Sequence, residues 1–77
     1  MISVEGIIIA SRWDKQGNIV ELAIATRNEE EYLIADEDQV TQLKPLLRKE
    51  AQVRGILQTK DGKKIINVTG FSQKGNK

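Results

Sequence analysis

Seven residues of this sequence have side chains suited to holding a polyanionic strand: Arg12, Trp13 and Lys15, then Arg27, and then Lys60, Lys63 and Lys64 around an Asp-Gly pair. Cations neutralise phosphates, and an indole among them stacks on a base, a sequence-tolerant contact contributing about 1–3 kcal/mol per base. Each residue also has a plainer use. The single tryptophan of a small domain plugs a barrel end or covers a hairpin, and hairpin lysines protect an edge from pairing with another chain. Both alternatives stay open at this level.

Other chemistries have less support. Histidine and cysteine are absent, which removes disulfides, Cys/His zinc sites, thiol nucleophiles and imidazole acid–base chemistry from this chain. Asp36 and Asp38 have the chemistry to share a hard cation, but two carboxylates beside a helix start ordinarily serve as caps. No acid pair is singled out by flanking glycines or apolar burial, so no enzyme activity, cofactor or metal is expected. With only Trp13, Tyr32 and Phe71 as aromatics, there is no rich stacking surface, and nucleic-acid affinity is expected to be weak and salt-sensitive. The run Glu29-Glu30-Glu31 beside Arg27 repels phosphates and marks a face that such a ligand avoids.

The net charge of +1 conceals a division. Residues 1–43 carry three bases against nine acids, and residues 44–77 carry nine bases against two acids. Such asymmetry either makes a basic face or lets two halves of one small domain attract each other.

The elements that position these residues follow from periodicity and turn chemistry. Residues 2–13 are apolar on both parities, as for a strand covered on both sides, and Gly6 sits where a barrel strand bends to serve two sheets. A turn at 14–18 follows, with Asp favouring its start and Gly17 supplying a positive φ. Residues 19–26 alternate Val20, Leu22 and Ile24 against Glu21, Ala23 and Ala25, the period of a half-buried strand. After a second turn at 27–30, residues 31–35 form a third strand, with Tyr32 expected toward the core beside Ile34 because that pair is bulkier than Leu33 and Ala35.

Asp36-Glu37-Asp38 then caps a short helix over 38–44, with Val40 and Leu43 on one face. Pro45 either kinks that helix or opens another turn through Arg48. Residues 51–59 and 64–71 are the fourth and fifth strands, joined by a tight Asp61-Gly62 hairpin. Phe71 is expected to pack rather than to serve as a platform. A single domain over 1–71 and a flexible polar tail over 72–77 complete the reading. The start of the chain has no basic region followed by a long apolar stretch, which predicts a soluble cytoplasmic protein with no membrane contact.

Three strands, a helix and a two-strand hairpin resemble the OB-fold (oligonucleotide/oligosaccharide-binding) superfamily, a five-stranded Greek-key barrel with its helix between strands three and four. Gly6 in strand one, Gly55 in strand four and the Asp-Gly hairpin are similar in texture. An SH3-like barrel fits less well, since its helical turn usually precedes the last strand. The resemblance implies an all-β barrel that binds ligand across strands two and three, between the loop carrying Arg12, Trp13 and Lys15 and the loop carrying Lys60, Lys63 and Lys64. Single-stranded or structured RNA or DNA is the partner so implied. A protein-interaction or self-assembly module using the apolar parity of strand one, Ile56 and Ile65 is the alternative. Oligosaccharide binding is a third reading, with few exposed aromatics to support it.

Overall fold

The computed structural model describes residues 1–73. Its elements are β1 (Ile2–Trp13), β2 (Ile19–Ala25), β3 (Glu31–Ile34), α1 (Glu37–Leu43), a 3-10 turn (Lys44–Leu46), β4 (Glu50–Lys60) and β5 (Lys63–Gln73). The strands close into one barrel in the order β1-β2-β3-β5-β4. Neighbours are antiparallel except β3 and β5, which meet in parallel through Leu33 and Ile65. This is the expected all-β, five-stranded closed barrel, with one short helix between strands three and four.

Closure depends on β1 serving two partners. Residues 2–7 pair with β4, and residues 7–13 pair with β2. The strand must bend between these duties, and Gly6 allows it: a Cβ there would lie 2.2 Å from the Ala25 carbonyl oxygen. Gly55 is approached as closely, beside a register shift at which Thr69 of β5 is left unpaired: a Cβ there would come 2.2 Å from the Asn67 carbonyl oxygen. Only a residue without a side chain fits either position.

The helix begins one residue earlier than its periodicity predicts. Asp36 is its N-cap and accepts from the Gln39 backbone N–H at 3.1 Å, which satisfies a donor that has no partner inside the helix. Pro45 does not kink α1; it opens the 3-10 turn, where its missing N–H costs nothing. Gln39 ties the helix to β5, accepting from the Val68 N–H at 2.8 Å and donating to Asn67 Oδ1 at 2.7 Å.

The core contains Ile8, Leu22, Ile24, Ile34, Val40, Leu43, Val53 and Ile66, all buried. Alternation accounts for most of it, with Val4, Gly6 and Ile8 inward from β1 and Ile34 inward from β3. Tyr32 shares that inward parity but lies at the barrel rim, half-buried against the core cluster. Phe71 also packs there. Leu57 has the parity of Val53 yet is exposed, because it lies on the part of β4 beyond Gly55 that pairs with β5 alone. β5 runs through Gln73, past the expected end at Phe71, and residues 74–77 of the expected tail lie outside the described residues.

Candidate nucleic-acid interface

The β1–β2 turn is built on Asp14. Its carboxylate accepts from the backbone N–H groups of Gln16 and Asn18, both at 2.9 Å, and from Asn18 Nδ2 at 3.3 Å. These bonds, that from the Asn18 backbone foremost, hold the Asp14 carboxyl below its ordinary range. The turn thereby presents Lys15 on an ordered tip. Before it, β1 carries two register irregularities, between Ala10 and Arg12 and between Arg12 and Trp13. Bulges of this kind re-aim side chains. Arg12 lies opposite Glu21 and is exposed, and Trp13 lies opposite Ile19 and is 55% exposed. Trp13 therefore does not plug the barrel.

Instead, Trp13 lines a cleft of about 360 Å³ with Ile9, Ala10, Ile19, Leu47 and Arg48. The far wall exists because residues 47–49 dock on the open edge of β1. Ile8 bridges to Leu47, the Arg48 N–H donates to the Ile8 carbonyl at 2.6 Å, and the Ile8 N–H donates to the Lys49 carbonyl at 3.1 Å. Nothing in the local sequence signals that Arg48 and Trp13 line one cleft, since that depends on this non-local docking.

The β4–β5 hairpin presents the predicted lysines differently. Asp61 and Gly62 both have positive φ, at 54° and 77°, as a tight primed turn requires. Lys60 and Lys63 stand directly opposite each other across it. Like charges so placed repel, and neither has an ion pair among the described residues. Lys64 is engaged: its Nζ lies 3.4 Å from Glu30 Oε1 and 5.4 Å from the centre of the Tyr32 ring. Lys63 and Lys64 line a cleft of about 480 Å³ with Ser11, Leu33, Glu30 and Glu31. The acidic run expected to repel phosphates thus sits beside two of the predicted cations.

Arg27 is elsewhere again, in the β2–β3 loop, lining a cleft with Glu5, Glu30 and Glu50. The structure therefore distributes the predicted residues: Trp13 with Arg48, Lys63 with Lys64 on a mixed-charge surface, and Arg27 among acids. Comparison with known protein families, with curated proteins and with solved structures finds no match for this chain. Among the described residues no group of three or more metal-ligating side chains is assembled, and no helix is long and apolar enough to cross a membrane.

Glu30 offers a test of the rim. The Tyr32 hydroxyl donates to Glu30 Oε1 at 2.9 Å; this bond, followed by Lys64, holds the Glu30 carboxyl below its ordinary range, and the same bond to Glu30 raises the Tyr32 phenol against the opposing charge of Lys64. A depressed carboxyl contributes stability that is present above its unfolded value and is lost as pH falls through its folded value. The pair is exposed, so the energy is small. Carbon-detected NMR titration should show Glu30 ionising below the ordinary glutamate range, and Tyr32→Phe should remove most of that depression. An unchanged Glu30 titration in Tyr32→Phe would show that the hydroxyl is not the main cause.

Proposed function

We propose that this chain is a small, non-enzymatic binding module of the OB superfamily that holds single-stranded nucleic acid weakly, through Trp13 and nearby cations. The strand order and the helix position support the superfamily. The observation that carries the ligand class is the solvent-exposed indole, 55% accessible in a chain whose other core-facing apolar residues close the barrel without it. An exposed large aromatic beside cations suits base stacking with phosphate neutralisation. Lys60 and Lys63, opposed and without ion pairs among the described residues, add a second contact for the same backbone.

Fluorescence anisotropy of labelled short poly-dT and mixed RNA strands tests this reading at low and moderate salt. Binding is expected that weakens with salt, with a slope of about 0.7 per neutralised phosphate. The double variant Lys60→Ala/Lys63→Ala should lower the slope by about one contact. No binding at low salt, where phosphate contacts are strongest, rejects the proposal.

One observation favours a protein partner as the second reading. Ile56 is 50% exposed on the hairpin arm, and Leu57 and Ile7 are exposed as well. Sedimentation velocity at high concentration tests its self-association form, which a single monomeric boundary excludes.

A further inference from the structure

Three clefts hold Arg27, the pair Lys63 and Lys64, and Arg48 respectively, and they differ in the charge that surrounds these cations. The cleft with Arg27 is lined by Glu5, Glu30 and Glu50, and that with Lys63 and Lys64 by Glu30 and Glu31. The cleft between Trp13 and Arg48 has no carboxylate in its lining. Its volume of about 360 Å³ falls within the range of small-ligand sites, roughly 300–1,000 Å³. Its walls combine an exposed indole, the aliphatic side chains of Ile9, Ile19 and Leu47, and an arginine.

Arg48 is held there at a backbone cost. Its φ is +67°, a left-handed conformation that the Cβ of an ordinary residue disfavours and that glycine adopts freely. Among the described residues Glu29 and Asp61 are the other non-glycine positions with positive φ, and all three lie in tight turns: here Leu47 precedes Arg48 at φ −55° and ψ 131°, and the Lys49 N–H donates to the Leu46 carbonyl at 2.8 Å. Arg48 thus occupies the turn position that favours glycine, in the segment docked on β1, and its guanidinium has no hydrogen bond or ion pair among the described residues. A planar cation with free donors, lining one cleft with an indole whose N–H is likewise unbonded among the described residues, matches one unstacked nucleotide: a base on the Trp13 face and paired acceptor atoms for the guanidinium.

Resting on the nucleic-acid reading above, we infer that the principal nucleotide subsite is the Trp13–Arg48 cleft at the β1 end, rather than the surface over β2 and β3, and that Arg48 is its specific cation. Phosphates approach this cleft without meeting Glu30 or Glu31. The hairpin lysines contribute only general attraction.

Trp13 is the only tryptophan, so its fluorescence reports this cleft alone. Short poly-dT strands added at low salt should change that fluorescence with the same midpoint as the anisotropy of the labelled strand. Arg48→Ala should weaken both by about tenfold, and Arg48→Lys should fall between it and the parent, because it keeps the charge and loses the fork. Arg48→Gly separates binding from folding: it should raise the thermal midpoint by about 4 °C while binding as poorly as Arg48→Ala. Strand binding that leaves the fluorescence unmoved, or parental affinity in Arg48→Ala and Arg48→Gly, overturns the inference and spares the broader reading. Absence of any strand binding removes both.

Discussion

Replacing Gly6 by alanine is expected to destabilise the barrel by about 3 kcal/mol or more. The added Cβ would lie 2.2 Å from the Ala25 carbonyl oxygen and 2.7 Å from its carbon, and both are backbone atoms. No rotamer change relieves such an overlap. Relief requires β1 to withdraw from β2 close to where it passes from one partner to the other, opening the Ile7 and Ile8 pairings with Ala25 and Ile24. For 77 residues a total stability of about 4–11 kcal/mol is usual, so the loss is a large share of the whole. Gly17→Ala is the control. Nothing lies within 4 Å of a Cβ there, and only its φ of +86° opposes alanine, at about 1 kcal/mol. Urea unfolding should place the Gly6→Ala midpoint well below that of Gly17→Ala. Equal midpoints would mean that the bend is not held by this close approach.

Leu43→Ala has the next largest expected effect, about 3 kcal/mol, from lost apolar transfer plus a cavity that the barrel cannot close. Leu43 is fully buried, and with Val40 it is all that α1 buries. A helix of seven residues has no independent stability, so its order derives from these two anchors, the Asp36 cap and the Gln39 clip to β5. Removing Leu43 should therefore lower the global midpoint and also expose the α1 amides to exchange before those of β1. Leu47→Ala, at a half-buried position, should cost less. If the α1 amides of Leu43→Ala stay as protected as those of β1, the helix is held by the clip rather than by the core.

Short-range signals made most of the fold readable. The Asp-Gly pair, the acidic cap before Val40 and the alternation of β2 each act within a few residues, where sterics and hydrogen bonding are the same in any context. The errors at element ends are small and have local causes. The helix started at Glu37 because Asp36 supplies its cap, and β5 ran on to Gln73 because Ala51 in β4 supplies a partner there; Pro45 opened a new turn, one of the two outcomes its missing N–H allowed. The reading of Tyr32 succeeded in parity, with Ile34 buried beside it, but parity alone carries no depth: the ring sits at the rim, where Glu30 and Lys64 reach it.

The candidate site was legible only in its ingredients. Residue types named Trp13 and the cations, and the loop positions implied one common face. Two long-range events separated them. The irregular end of β1 turned Trp13 toward residues 47–49, and Glu30 captured Lys64 on the opposite side of that strand's pairing with β2. By itself the sequence determined the strands, the helix, the turns and the absence of histidine and thiol chemistry, since backbone sterics, capping and composition are local properties. Only the tertiary structure decided that Trp13 is exposed and that Arg48 lines one cleft with it, because the cleft depends on how the bent first strand leaves an open edge for a segment more than thirty residues away.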